Sequence, residues 1–236
     1  MLDNHTRSEI SRGLRDAGPL LLAVAPYGMV LGAQASHIGF DPLSIGLMTG
    51  LNFAGGSEFA ALRFWSDSPP FFLLVLLTFL INSRHIVMGA VLAPYMKHIP
   101  LRKAIPALFF MADEGWAVSY ADTLRRSVNS KEPAFSWPYY WGACVPFYPV
   151  WVGFSCLGAA LGPILGDVER FGFAMALPAV FIVLLKGMWK GFRKARPWGV
   201  SLVVSAGCSV LLPSGWYVLV GALAGIATAY YWSASE

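Results

Sequence analysis

Long apolar runs separated by short polar stretches are the feature of this sequence that most restricts its fold. A helix needs about 20 residues to cross the hydrocarbon core of a bilayer, and several of the runs reach that length. Lipid offers no hydrogen-bond partners to the backbone, so unbroken apolar runs of this kind fold as helices. We therefore predict an all-α polytopic membrane protein. Eight apolar segments can be marked, at about 18–36, 43–64, 70–94, 104–124, 136–162, 171–187, 198–213 and 215–232.

The composition excludes a water-soluble domain as the default. Hydrophobic residues make up 56% of the 236 residues and charged residues only 13%, whereas soluble domains carry about 25% charged residues. The eight segments leave no room for a separate soluble domain. We expect one transmembrane domain over residues 1–236, in which residues 1–17 form a cytoplasmic or interfacial N-terminal segment with Ile10 and Leu14 facing lipid.

Basic residues indicate how the segments are oriented, because Lys and Arg prefer cytoplasmic loops. If all eight segments cross, twelve basic residues lie inside and four outside; if the second and fourth segments dip in and return, fourteen lie inside and two outside. Both arrangements place both termini in the cytoplasm. The clusters comprise Arg7, Arg12 and Arg15; Lys97, Arg102 and Lys103; Arg125, Arg126 and Lys131; and Lys186, Lys190, Arg193, Lys194 and Arg196.

Composition also favours the arrangement with two returning segments. Segment 43–64 contains an Asn, two adjacent glycines and a Glu, and segment 104–124 contains a Pro and three acids. Irregular backbone at membrane depth occurs where protein or a water-filled cavity surrounds it, and transporters place such segments around the substrate. We predict about six full transmembrane helices plus two broken or re-entrant segments, with eight crossings as the alternative. A loose Pro and Gly pattern shared by 18–36 and 146–162 suggests a two-fold internal repeat.

The first candidate site is the run Asn-Phe-Ala-Gly-Gly-Ser-Glu-Phe at 52–59. A carboxylate at the bilayer centre is costly, so Glu58 is expected to face a cavity, a partner charge or a proton path. A helix that restarts after Gly56 would direct free N–H groups at an anion such as an amino-acid carboxylate. Glu58 would then meet the amino group or take up a proton. The alternative is a structural ion pair of Glu58 with Arg84 or Arg63.

The second candidate site is Asn-Ser-Arg-His at 82–85, which follows an unbroken apolar run. Arg84 is therefore expected inside the bilayer, where it can bind a carboxylate bidentately, and His85 can titrate near neutral pH. The alternative is that Arg84 pairs with Asp113 or Glu114 and joins two segments, since buried charges are usually paired. His85 alone would more often be a packed histidine than a proton relay.

The third candidate site is the pair of adjacent acids Asp113 and Glu114 in the fourth segment. Successive residues lie about 100° apart on a helix, so one acid can face a substrate while the other caps a helix or forms an ion pair. The alternative is a surface loop in which both acids are solvated. The residues expected to bind substrate are Asn52, Gly55, Gly56, Ser57, Glu58, Arg84, His85, Asp113 and Glu114.

The sequence lacks the residue spacings that nucleotide binding, zinc binding and serine-nucleophile catalysis require. The sequence contains no G-x-x-x-x-G-K-[ST] for ATP and no H-E-x-x-H for zinc, and Ser57 lacks the second glycine of a nucleophile elbow. Cys144, Cys156 and Cys208 are interpreted as buried small hydrophobic residues. We expect no enzyme, no cofactor and no metal, and an ion gradient, for which we take the proton, as the energy source.

Three sequence blocks resemble the AzlC family of branched-chain amino acid permeases: residues 52–59, residues 82–85 with Leu-Ala-Pro at 92–94, and Ala-Asp-Glu at 112–114. The resemblance extends from about Gly13 to the C-terminus. It implies a subunit that exports branched-chain or related small amino acids from the bacterial cytoplasm through the inner membrane, together with a small AzlD-type partner. Glu58 departs from the Gln expected in this family, which favours a cationic substrate or proton coupling.

Two other functional classes are compatible with the same residues. A passive channel for a small solute also uses paired half-membrane segments, and Glu58 and Arg84 would then be filter residues. A membrane subunit without transport activity of its own is the third class. Gradient-driven counterflow separates a transporter from a channel, and reconstitution with and without the small partner identifies an accessory subunit.

Overall fold

The computed structural model describes residues 3–66, 68–128, 133–165, 182, 186, 189, 191–212 and 216–233. Within these ranges the chain is helical and contains no strands, as predicted. The helices are α1 (Asn4–His37), α2 (Pro42–Asn52), α3 (Gly55–Arg63), α4 (Phe71–Asn82), α5 (Arg84–Leu92), α6 (Leu101–Phe109), α7 (Asp113–Val128), α8 (Trp137–Cys144), α9 (Phe147–Leu165), α10 (Phe192–Leu211) and α11 (Trp216–Ser233).

Three stretches of helix are long and apolar enough to span a membrane: Asn4–His37, Phe71–Leu92 and Trp137–Ile164. They correspond to the first, third and fifth predicted segments. The second of these stretches joins α4 to α5, and the third joins α8 to α9. The predicted segments 198–213 and 215–232 are present as α10 and α11, and segment 171–187 lies outside the described residues except for isolated positions. The number of full crossings stays a prediction.

The N-terminal residues form part of the first long helix. We expected the apolar helix to begin near residue 18, but α1 begins at Asn4, where the Asp3 side chain accepts a hydrogen bond from the Thr6 amide at 2.6 Å. Leu14 is exposed as expected, whereas Ile10 is half-buried and its backbone lies against Gly142 of α8. The helix therefore continues through residue 17, and its first turns already pack on α8. The cytoplasmic or interfacial location of residues 1–17 stays a prediction.

Helix α1 packs in parallel along α8 and α9. Gly13 lies against the backbone of Tyr139, and further along the chain Gly32 lies against the backbone of Ser155. Residue numbers rise together on the two sides, which defines the parallel direction. Gly158 and Gly162 of α9 in turn lie against α1. Gly32 and Gly158, two glycines of the loose internal pattern, are thus at sites where two helix backbones approach too closely for a Cβ atom.

Segment 43–64 is interrupted as predicted, and its two helices form a hairpin. Helix α2 ends at Phe53, which adopts a left-handed conformation with φ of 45°, and α3 begins two residues later. The Phe40 and Trp65 rings, at the two ends of the segment, lie 4.9 Å apart between centroids. The chain therefore returns to the end of the molecule from which it came. We call this unit the α2–α3 hairpin.

Segment 104–124 is also interrupted, at residues 110–112 between α6 and α7. Ala107 of α6 accepts a hydrogen bond from the Tyr140 hydroxyl at 2.9 Å, and Phe110 then reaches Tyr148 at 5.4 Å between ring centroids. Helix α7 runs back, since its Gly115 lies against Cys144 and its Asp122 reaches Arg12 near the start of α1. This α6–α7 hairpin approaches the first one from the opposite end of the molecule.

The course of α4 and α5 completes the arrangement. Helix α4 begins shortly after Trp65, and its last residue, Asn82, lies 3.2 Å from Ser57 at the tip of the first hairpin. Just beyond α5, Tyr95 contacts Tyr120 of α7. The chain thus passes from one end of the molecule to the other between the two hairpins.

Candidate functional site

The two hairpin tips meet at a pocket near the middle of the molecule, which we call the tip pocket. The rings of Phe53 and Phe109, one from each hairpin, lie 6.0 Å apart between centroids. Side chains from α1, from the start of α5 and from α9 close the remaining sides. The lining residues are Val24, Tyr27, Phe53, Ala54, Gly55, Gly56, Arg84, His85, Ala112, Asp113, Glu114, Phe147 and Trp151.

Helix α3 directs its N-terminus into the tip pocket. The prediction that a helix restarts after Gly56 is wrong by two residues, because α3 begins at Gly55, with Ala54 as its N-cap. The first amides of a helix have no intrahelical acceptor and carry a partial positive charge. Both glycines line the pocket, and a Cβ on Gly55 would lie 2.9 Å from the Trp151 ring. Neither glycine places a side chain between the first turn of α3 and the pocket.

Arg84 forms an ion pair with Asp113 across the tip pocket. The Arg84 Nη2 and Asp113 Oδ2 atoms lie 2.9 Å apart, and 43% of the arginine side chain is exposed. The pair joins the start of α5 to the start of α7. The predicted alternative in which Arg84 pairs with Asp113 is therefore confirmed. The alternative ion pair of Glu58 with Arg84 or Arg63 is absent from the described residues.

Glu114 is the second acid at the start of α7, and it lines the tip pocket while only 7% exposed. Its neighbour Asp113 is half-buried. The alternative of a solvated surface loop is therefore wrong for this pair. Among the ion pairs of the described residues, Asp113 has Arg84 as its partner and Glu114 takes part in none. Glu114 thus offers the pocket a carboxylate that forms no ion pair with an arginine or lysine of the described residues.

Glu58 turns away from the tip pocket, in contrast to its expected role as a substrate ligand. It is 1% exposed, and its carboxylate accepts hydrogen bonds from the Trp151 indole at 2.7 Å, the Ala54 amide at 2.9 Å and the Asn52 amide group at 3.3 Å. The Ser57 hydroxyl beside it accepts from Asn52 at 3.0 Å. Asn52, Ser57 and Glu58 form a hydrogen-bonded cluster behind the tip and do not line the pocket.

Six of the nine residues expected to bind substrate do line the pocket: Gly55, Gly56, Arg84, His85, Asp113 and Glu114. The Nδ1 atom of His85 lies 3.1 Å from the backbone oxygen of Asn82. This contact ties the ring to the last turn of α4. A role for His85 as a proton relay stays a prediction.

Sequence reasoning missed the apolar wall of the pocket, which Val24, Tyr27, Phe53, Phe147 and Trp151 form. Trp151 carried a usable signal, because it lies well inside an apolar segment, whereas membrane tryptophans concentrate at the interfaces. A buried indole N–H also requires an acceptor. The sequence alone could not identify that acceptor as Glu58.

A network of charged and hydroxyl side chains lies at the end of the molecule where α1 begins, and we call it the basic-end network. Arg12 contacts Asp122 at 2.6 Å and Glu9 at 3.1 Å, and Arg126 contacts both of these acids. The Ser136 hydroxyl donates to Glu9 at 2.6 Å. The network joins α1, the C-terminal part of α7 and the residues before α8. Helix α7 therefore contributes to the tip pocket at one end and to the network at the other.

The three cysteines are free thiols. Cys144 is buried as predicted and packs against Gly115, whereas Cys156 and Cys208 are only half-buried. The prediction that all three cysteines are buried is wrong for these two.

Comparison with known proteins places this architecture in a family. Residues 19–165 match the AzlC protein family, and this range contains both hairpins. An uncharacterized membrane protein of Archaeoglobus fulgidus is 30% identical over 182 residues, which are 76% of each chain. The branched-chain amino acid transport protein AzlC of Bacillus subtilis is 24% identical over 225 residues, covering 92% of this chain and 84% of that one.

The inner membrane protein YgaZ of Escherichia coli is 24% identical over 218 residues, covering 91% of this chain and 80% of its own. No solved structure matches the chain. The matched range, the membrane-length helices and the named relatives agree on a transport-related membrane protein. The chain belongs to the AzlC family.

Proposed function

We propose that this chain is a secondary transporter subunit that exports branched-chain or related small amino acids across the bacterial inner membrane, with a small AzlD-type partner and both termini in the cytoplasm. The observation that carries the proposal is the tip pocket. It combines the amides at the start of a helix, an arginine, an acid without an ion-pair partner among the described residues, and an apolar wall. These are the groups that a zwitterionic amino acid with an aliphatic side chain requires. We propose a binding role rather than catalysis for them.

The amides of Gly55 and Gly56 are suited to the substrate carboxylate. They begin α3, where the unsatisfied N–H groups and the helix dipole favour an anion. Arg84 adds a guanidinium that is partly exposed to the pocket even though it is paired with Asp113. The arginine can therefore orient a carboxylate without leaving an uncompensated charge when the pocket is empty.

Glu114 is suited to the substrate ammonium group. It is a buried carboxylate that faces the pocket and lacks an ion-pair partner among the described residues. An acid in such a position gains from a cation or from a proton. If the ammonium group and a proton compete for Glu114, outward movement of the amino acid is coupled to inward movement of the proton. We propose the proton gradient as the energy source on this basis.

The apolar wall is suited to sorting substrate side chains. Tyr27, Phe53, Phe147 and Trp151 present rings, and Val24 adds an aliphatic patch. A hydrophobic pocket distinguishes neighbours that differ by one methylene by only about 1–3 kcal/mol. We therefore expect valine, leucine, isoleucine and methionine to share the site with overlapping affinities.

A passive channel is the second candidate function, because two half-length hairpins that meet tip to tip are also a channel construction. The ion pair of Arg84 with Asp113 and the buried Glu114 would then form a filter. A channel shows no counterflow of labelled solute against its own gradient, whereas a transporter does. Counterflow of labelled leucine is therefore the measurement that separates these two functions.

The experiment that tests the proposal is efflux of preloaded labelled leucine from cells expressing the chain, with and without an AzlD-type partner. Glu114→Gln is expected to reduce efflux by about tenfold or more, because a hydrogen bond to a charged group contributes about 1.5–3 kcal/mol. Asp41→Asn is the matched control, since Asp41 is an exposed helix cap outside the pocket, and it should leave efflux unchanged. If wild-type cells export no amino acid, the proposal is wrong.

A further inference from the structure

Trp151 is the largest side chain in the wall of the tip pocket, and one hydrogen bond fixes its indole. Its Nε1 atom donates to Glu58 Oε2 at 2.7 Å, and the residue is only 5% exposed. The ring of Tyr27 lies 5.9 Å away between centroids. Glu58 and Trp151 are 93 positions apart in sequence, so this bond ties the first hairpin to α9.

The other oxygen of Glu58 is bonded to the hairpin itself. Oε1 accepts from the Ala54 amide at 2.9 Å and from the Asn52 side chain at 3.3 Å. All three donors are neutral, and both carboxylate oxygens are used. Glu58 thus holds the end of α2, the start of α3 and the indole in one arrangement, with no side of its carboxylate directed at the pocket.

The orientation of the indole determines how much space lies over the free amides of α3. A Cβ atom built on Gly55 would lie 2.9 Å from one carbon of the Trp151 ring and 3.0 Å from another. The ring therefore rests against the first turn of α3, beside the amides suited to the substrate carboxylate. A rotation of the indole would enlarge the space inside the apolar wall and would also change access to these amides.

We propose that Glu58 is a positioning residue that sets substrate selectivity by holding the Trp151 indole as a fixed wall of the pocket. This inference rests on the proposed function. A fixed wall limits the size of the substrate side chain, so it favours leucine over phenylalanine. When the bond to Glu58 is lost, the indole can adopt other rotamers. The wall then moves, and larger substrate side chains fit into the pocket.

The test compares Glu58→Gln, Trp151→Phe and the double variant in efflux of labelled leucine and phenylalanine. Glutamine keeps the shape of Glu58 but has one acceptor oxygen for donors on two sides, so its NH₂ group faces either the indole or the Ala54 amide. Phenylalanine lacks the indole N–H. Each single change is expected to lower the leucine preference by about tenfold, the scale of one charge-assisted hydrogen bond. The double variant should lower it no further, because Glu58 and Trp151 are the two partners of one bond and each change disturbs that bond.

Trp65→Phe is the matched control, because Trp65 is 39% exposed and lies at the end of the molecule beyond the hairpin. It should retain the leucine preference of the wild type. If Glu58→Gln fails to accumulate in the membrane, Trp151→Phe gives the same test from the donor side. Additive losses of preference, or an unchanged preference in both single variants, would overturn the positioning role.

Thermal unfolding of the purified full-length chain in detergent provides a readout that needs no substrate. Non-additive shifts in unfolding temperature between the two single variants and the double variant would support the bond. Such coupling together with an absence of any amino-acid efflux would reject the proposed function while retaining the contact. Coupling together with an unchanged leucine preference would overturn the role in selectivity and reduce the bond to a structural one.

Discussion

The two hairpins share one construction but present opposite chemistry to the pocket. In the α2–α3 hairpin the acid, Glu58, is turned inward onto neutral donors, and the pocket receives the amides of Gly55 and Gly56. In the α6–α7 hairpin the acids Asp113 and Glu114 are the first two residues of α7, and both line the pocket. A broken helix therefore does not by itself define an anion site, because the side chains of its first turn decide which charge the tip offers.

Both glutamates are buried, but only Glu114 lines the tip pocket, and this difference is expected to give the largest effect. In a variant without the native cysteines, Glu114→Cys should react with a small water-soluble thiol reagent on the order of a hundredfold faster than Glu58→Cys. Only the first position lines the pocket, and a thiol at the second would require local opening to react. Labelling rates measured by mass spectrometry check this. Equal rates would mean that the first hairpin does not conceal its acid.

Blocking the amides of the first hairpin is the next largest expected effect. Gly55→Ala places a Cβ against the Trp151 ring, so leucine efflux should fall by about tenfold or more as the indole shifts over the amides. Gly89→Ala is the matched control within α5, since a Cβ there meets nothing within 4 Å. Alanine should stabilise that helix slightly and leave efflux unchanged. Equal efflux from both variants would contradict the role of the amides.

The effects of changing Arg84 and Asp113, the ion pair at the second hairpin, should be coupled rather than additive. Arg84→Gln alone leaves Asp113 without its partner, and Asp113→Asn alone leaves Arg84 unpaired, so each should lower the unfolding temperature. The double variant should regain part of that stability but not transport, which we expect to stay several-fold below wild type. Unfolding in detergent and leucine efflux are the two measurements. Full recovery of transport in the double variant would assign Arg84 a structural role only.

The basic-end network should affect stability more than selectivity. Asp122→Asn weakens the contacts with Arg12 and Arg126, and we expect the unfolding temperature to fall by about 3–8 °C. The leucine preference over phenylalanine should stay as in the wild type, because the network lies apart from the pocket wall. A changed preference with an unchanged unfolding temperature would show that α7 transmits changes from the network to the tip pocket.

The sequence predicted the broken segments because their residues are unsuited to lipid, above all the adjacent glycines of the first and the acids of the second. It also predicted that Arg84 lies close to Asp113 or Glu114, in one site. It could not predict the direction of the Glu58 side chain, which depends on where α3 begins and on an indole 93 positions away. It also could not predict the parallel packing of α1 on α9, because hydropathy does not select neighbours for membrane helices.

The central claim is that the tip pocket binds both charged groups of a zwitterionic amino acid, one at each hairpin. Binding of labelled leucine to the purified chain tests it most directly, in competition with 4-methylpentanoate, which lacks the amine, and 3-methylbutylamine, which lacks the carboxylate. We predict that each analogue competes at least about a hundredfold less well than unlabelled leucine, since each leaves one hairpin unpaired. If either analogue competed as well as leucine, the hairpin assigned to its missing group would have no part in recognition, which would contradict the account.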